Sequence, residues 1–169
     1  MARVRMGRVY HFSAAHRLHS PYLSEAENKA LYRDCNNPGG HGHNYVLEVM
    51  VEGEMDPRLG MIMDLPELDR LVQTHVIDRL DHQFIGSLDP KLPEGGALPP
   101  EAGIAGHHEE DGSLDAAFIS TSEAVTYIVW TWLAAVLPAH VRLHHVHLEE
   151  TRSNFFDYQG ENHPGRASA

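Results

Sequence analysis

The residues whose types and spacing suit chemistry are three histidines and the lone cysteine, found in His11-Phe-Ser-Ala-Ala-His16 and Cys35-Asn-Asn-Pro-Gly-Gly-His41-Gly-His43. His41 and His43 flank Gly42 and run into Asn-Tyr-Val-Leu-Glu-Val-Met-Val, a β-branched and apolar stretch that reads as a strand, where residues i and i+2 share a face. Two imidazoles pointing the same way supply two of the three protein ligands of a catalytic zinc, the fourth position being left to water or substrate. His16 is the leading candidate for the third nitrogen. Cys35 can form neither an intrachain disulfide nor a multi-cysteine zinc site, so its functional reading is nucleophile, base or redox group. Its polar surroundings (Asp34, Asn36, Asn37 and two glycines) favour that reading, because a neighbouring cation or imidazole lowers a thiol's pKa. An inert buried thiol is the plain alternative.

Further candidates are weaker in spacing. His145 and His147 form a second His-x-His pair, without the flanking glycine turn or the cysteine. In Leu80-Asp81-His82 the histidine is either a cation favoured by a helix C-terminus or a proton carrier held by Asp81, as in a triad. Glu123 has an ordinary role at the third position of a capping box opened by Ser120. Glu150 closes a strand, where an acid is ordinarily solvated; at a subunit contact it would accept a bidentate pair of N–H donors from a heterocycle. A cupin pattern fits His41, His43 and Glu48 only in part, and the expected helices count against it.

These side chains need elements to position them. Arg3 to Phe12 alternates in part and reads as a first strand. A short helical patch over Glu25 to Tyr32 lies in a long excursion before the second strand, Asn44 to Gly53. There Tyr45, Leu47, Val49 and Val51 share one face and Glu48 and Glu52 the other, the pattern of a half-buried antiparallel strand. Asp64 and Pro66 start a helix whose apolar set runs to about Arg79. Ser120-Thr-Ser-Glu123 opens a second amphipathic helix, stopped by Pro138. Val141 to Glu150 and Asn154 to Gln159 read as a closing hairpin. The order strand, strand, helix, helix, strand, strand predicts an α+β sandwich: a small antiparallel sheet with helices on one face. A Pro- and Gly-rich insertion is expected at about 87–115, within one catalytic domain spanning 1–160, with a disordered tail over 161–169.

The chain has 169 residues, and its 13 basic against 24 acidic side chains give a formal net charge of -11. That balance, with no basic cluster, argues against nucleic acid and against an anionic membrane as partner. It leaves room for a phosphorylated small molecule held by a few local cations, for which Arg17, Lys29 and Arg33 are nearby candidates. No secretory signal pattern and no membrane span are apparent, and a reduced lone cysteine agrees with a cytoplasmic location.

Together, Phe12-Ser-Ala-Ala-His16-Arg-Leu, the Cys35 to Tyr45 block, Gly60-Met-Ile-Met-Asp64, Leu80-Asp81-His82, Ser120-Thr-Ser-Glu123 and Glu150-Thr resemble the family of 6-pyruvoyl-tetrahydropterin synthase and 6-carboxytetrahydropterin synthase. The resemblance implies the tunnelling fold (T-fold), a four-stranded antiparallel sheet with two helices packed on one face. It implies trimeric barrels stacked into a homohexamer, a dimer of trimers with active sites between subunits. It also implies Zn2+ on His16, His41 and His43, Cys35 as the proton-abstracting base, and Asp81 and His82 as its relay. Glu150 would anchor the pterin ring, with Glu123 and Thr121 lining the same pocket. The implied substrate is 7,8-dihydroneopterin triphosphate. Five residues between Cys35 and His41, with Asn-Asn-Pro, resemble the pyruvoyl-forming branch. The queuosine-pathway branch, which releases acetaldehyde, and a non-catalytic zinc-stabilised pterin binder are the alternatives. Gln83-Phe84-Ile85 departs from the family pattern after the Asp-His pair, as does the long insertion.

Overall fold

A computed structural model describes residues 2–87 and 119–161. Most of the expected insertion at 87–115, and all of the tail beyond Glu161, lie outside the described residues. Strands β1 (Arg3–His16), β2 (His41–Glu54), β3 (Val141–Thr151) and β4 (Asn154–Tyr158) form one antiparallel sheet in the order β1-β2-β3-β4. Helix α1 (Glu25–Tyr32) lies in the excursion between β1 and β2. A segment of α2 (Leu65–Val72), a π turn (Gln73–Ile77) and α3 (Asp78–Leu80) follows β2, and α4 (Ser122–Val136) precedes β3.

The alternation of β2 does what its sequence predicts on the core side: Tyr45, Leu47, Val49 and Val51 are all essentially inaccessible. They meet Phe12 from β1, Val146 and Leu148 from β3, and the apolar stripes of the long helices, including Leu68, Val72, Ile128, Val129 and Trp132. Burying such stripes removes apolar surface from water and is the main stabilising contribution. On the opposite side of β2, Glu52 departs from the expected solvated acid and is only 4% exposed. It is covered by Arg142, which donates to Oε1 from Nε at 3.1 Å and more closely from Nη2, and by Arg5, which donates to Oε2 at 3.3 Å. His144 Nδ1 lies 3.2 Å from Oε2.

Besides β2, which starts at His41 and not at Asn44, three boundaries differ from the sequence expectation. First, β1 continues past Phe12 to His16, because the whole strand pairs with β2 from Arg3↔Glu54 to His16↔His41. Second, the helix after β2 is interrupted by the π turn. Its apolar residues Leu68, Val72, Val76 and Leu80 recur every four positions, a spacing that drifts around a regular helix; the wider turn keeps Val76, Ile77 and Leu80 against the core. Third, the cap of α4 is Thr121, whose Oγ1 accepts from the Ala124 amide at 3.4 Å, and not Ser120. The capping box expected there is found instead at α1, where Ser24 and Glu27 exchange bonds reciprocally. The helices are tied to one another by the Arg79 guanidinium of α3, 3.6 Å from the Trp132 ring centre of α4. Arg8 and Tyr10 of β1 both hydrogen-bond the Asp69 carboxylate on α2.

Candidate active site

Antiparallel pairing builds the centre of the site. Residues directly opposite on paired strands share a face, and the register sets His16 across from His41 and Ala14 across from His43. The three rings therefore gather at one end of the sheet, on its core side, with ring centres 4.5 to 5.0 Å apart. Their donor nitrogens all lie within 4.8 Å of one another, and His16 Nε2 is 3.0 Å from His41 Nε2.

Residues behind the rings decide which nitrogen faces inward. His16 is 1% exposed, and its Nδ1 donates to the Ser120 carbonyl at 2.8 Å. A carbonyl only accepts, so this bond puts the proton on Nδ1 and leaves the Nε2 lone pair for the centre. Among the described residues His43 Nε2 is buried with no hydrogen-bond partner, an orphaned polar atom of the kind that a bound cation satisfies. Burial lowers the pKa of all three histidines. For His16 the Ser120 bond and the Glu150 charge oppose that effect without reversing it. Neutral imidazoles are the form in which histidine ligates a metal.

Glycine makes the turn into β2 possible. Gly40 has φ +69°, and a Cβ there would stand 2.9 Å from the His16 carbonyl oxygen and 2.7 Å from Phe84 Cε2. Only glycine adopts this conformation readily and leaves that space open.

Glu150 ends β3 on the same side of the sheet as Leu148 and reaches the cluster. Its Oε1 lies 3.7 Å from His16 Nε2 and 3.8 Å from His43 Nε2, and it accepts a hydrogen bond from Ser122 Oγ at 2.8 Å. Glu150 is therefore no solvated edge acid. Tyr45 completes this wall: its hydroxyl is buried beside Ser122, and burial, then the Glu150 charge, raises its pKa against the opposing Ser122 contact.

Asp81 and His82 are brought to the same end by a device that no spacing rule reveals. The segment after α3 runs beside the free edge of β1, with Asp81 Oδ1 accepting from the Ser13 amide at 2.8 Å and the Ala15 amide donating to the Gln83 carbonyl. His82, at φ 59°, donates its amide to the Ser13 carbonyl. Its Nδ1 lies 2.9 Å from Asp81 Oδ2, so the carboxylate orients the ring. The Ser13 amide, first, and then His82 hold the Asp81 carboxyl below its usual range. His43, His82 and Phe84 line one cavity of about 520 Å³. Phe84 thus stands in the pocket wall, where the sequence departs from the family pattern.

The remaining expected residues are placed as follows. Cys35 sits half-buried in a single 3-10 turn (Arg33–Asn36), fixed through its carbonyl, which accepts from the Leu18 amide. Buried Asn36 braces this turn by donating to the Leu18 carbonyl, and Arg17 is tied to the Asn36 carbonyl and side chain. Cys35 forms no side-chain hydrogen bond among the described residues and lines neither this cavity nor the one that holds Arg17, Lys29 and Arg33. Those three cations do share a cavity, of about 630 Å³, together with Glu25 and Asp34. Thr121 is half-buried and spends its hydroxyl on the α4 cap, while Glu123, two residues on, is exposed. Sequence reasoning passed over Ser120 and Ser122 as functional residues, because their partners His16 and Glu150 are 104 and 28 residues away.

The sequence model described as 6-pyruvoyl tetrahydropterin synthase matches residues 5–161. The chain belongs to this family. It is 37% identical over 159 residues to the 6-pyruvoyl tetrahydrobiopterin synthase of Homo sapiens, covering 94% of this chain and 93% of that protein. It superposes on the structure of Caenorhabditis elegans 6-pyruvoyl tetrahydropterin synthase with a TM-score of 0.72 at 38% identity, covering 95% of this chain and 97% of the other. A 6-carboxy-5,6,7,8-tetrahydropterin synthase from Rickettsia conorii is more distant, at 28% identity over 52% of this chain and 55% of that protein. Membership supports 6-pyruvoyl tetrahydropterin synthase activity and a small-molecule pterin substrate, and the four-stranded sheet with its helices is the family's T-fold. Among the described residues no helix is long and apolar enough to cross a membrane.

Proposed function

We propose that this chain is a zinc-dependent carbon-oxygen lyase that converts 7,8-dihydroneopterin triphosphate to 6-pyruvoyl-tetrahydropterin with release of triphosphate. The observation that carries this reading is the convergence of His16, His41 and His43 with the Glu150 carboxylate less than 4 Å from two of their nitrogens. His16, His41 and His43 would hold the zinc, which when bound supplies a Lewis acid for the side-chain hydroxyls and the developing carbonyl. Glu150, kept in place by the Ser122 hydroxyl, accepts paired N–H donors of the pterin ring. Thr121 and Glu123, at the start of α4, would line the same pocket. Cys35, as thiolate, takes a carbon-bound proton, and the Asp81–His82 pair carries protons to and from it. Because the rearrangement is internal, with triphosphate as leaving group, no redox cofactor is called for. Among the described residues no hydrogen bond joins Cys35 to Asp81 or His82, and Cys35 does not line the cavity that holds His82. The relay therefore relies on a neighbouring subunit, as in a hexamer with sites between subunits.

Greater identity to pyruvoyl-forming relatives than to the carboxy-forming one supports the pyruvoyl product. The test is incubation with 7,8-dihydroneopterin triphosphate and chromatography of the products. Triphosphate and 6-pyruvoyl-tetrahydropterin are expected, with turnover lost and folding kept in Cys35→Ala. Acetaldehyde would assign the 6-carboxy branch instead, and no triphosphate release at any enzyme concentration would assign a binder.

A further inference from the structure

The second His-x-His pair stands on the other side of the sheet. Val146 and Leu148 are fully buried in the core, so the alternation of β3 turns His145 and His147 to the face away from the helices. Directly across from His147 on β4 is Asp157. Its Oδ1 lies 2.6 Å from His145 Nε2 and 2.9 Å from His147 Nδ1, and the three donor atoms fall within 4.8 Å of one another. Two ring nitrogens thus converge on one carboxylate oxygen. Among the described residues no lysine or arginine pairs with Asp157.

We propose that His145, His147 and Asp157 form a second binding site for a divalent transition-metal ion, separate from the His16 cluster. Two imidazoles and one carboxylate are a donor set for zinc and its first-row neighbours, with open positions left for water. All three side chains are partly exposed, at 20%, 27% and 44%, so an ion has access and keeps water ligands. Each ring offers the nitrogen now in the hydrogen bond once its proton resides on the other nitrogen, and only small rotations bring the three donors around an ion. The register of β3 and β4 holds their backbones in place. Such an ion ties β4, a five-residue strand, to β3, with which it pairs.

The test uses the full chain, equilibrated with micromolar zinc and assayed for bound metal, beside Asp157→Asn and His147→Gln, which retain side-chain volume and hydrogen bonding. About two ions per chain are expected for the wild type and about one for each variant, with turnover unchanged in both. Zinc should also raise the unfolding temperature less in the variants than in the wild type. A wild-type content of one ion, or a second ion that survives either substitution, overturns the site. Neither outcome bears on the pterin reaction, which product analysis tests separately.

Discussion

Ser120 offers its carbonyl to His16 Nδ1, and Gly40 leaves room for the His16 carbonyl and the Phe84 ring; neither lends a side chain to the cluster, yet both support its geometry. The gathering of the three histidines was legible from residue type and spacing, whereas the spacing of Asp81 and His82 left their role open. The supports of the cluster were not legible, because a carbonyl acceptor or an empty space has no signature in residue type. Glu150 shows the same limit: alternation marks a strand-end acid, and only the arrival of Ser122 on α4 shows that it turns inward. One prediction belongs at this scale. Gly40→Ala forces an L-residue to a positive φ, which alone costs about 1–2 kcal/mol, and drives its methyl against the His16 carbonyl. Denaturant unfolding should show at least that loss, and turnover should fall further because His41 is displaced. An alanine variant with wild-type stability and turnover would contradict the role given to Gly40.

At the scale of elements, the buried Glu52 gives a prediction with a definite sign. The Arg142 hydrogen bond, opposed by burial and helped by Arg5, holds its carboxyl below the ordinary value of 4.5. A carboxylate with a depressed folded pKa contributes stability that is fully present above its unfolded value and is lost as pH falls through the folded one. Between neutral pH and pH values below 4.5 the wild type should lose more stability than Glu52→Gln, measured by urea unfolding at each pH. Equal losses would show that Glu52 is not the titrating group. The core face of β2, α1, α4 and the β3–β4 hairpin were legible because each follows from a local period or a local cap. What escaped depends on distant partners: the extension of β1 to His16 requires the β2 ladder, and the burial of Glu52 requires Arg5 and Arg142, 47 and 90 residues away. The cap at Thr121 in place of Ser120 is a local error of one residue. Ser120 had already been committed to Arg17 and His16.

For the whole molecule, the proposed sharing of the relay between subunits would make assembly part of the chemistry. If one subunit supplies the thiol and another the relay, Cys35→Ala and His82→Ala are each inactive alone. Mixed and reassembled in equal amounts, they should recover about a quarter of wild-type turnover, since random association makes that fraction of sites intact. No recovery, in assemblies shown to contain both variants, would mean that both groups come from a single chain. The claim on which the rest depends is that His16, His41 and His43 hold the ion required for turnover. The direct measurement is triphosphate release from 7,8-dihydroneopterin triphosphate by chelator-stripped protein, before and after zinc is returned. Stripped wild type should be inactive and should recover with zinc, whereas His43→Ala should stay inactive at the same zinc concentration. Full turnover by protein shown to be free of metal would contradict the account.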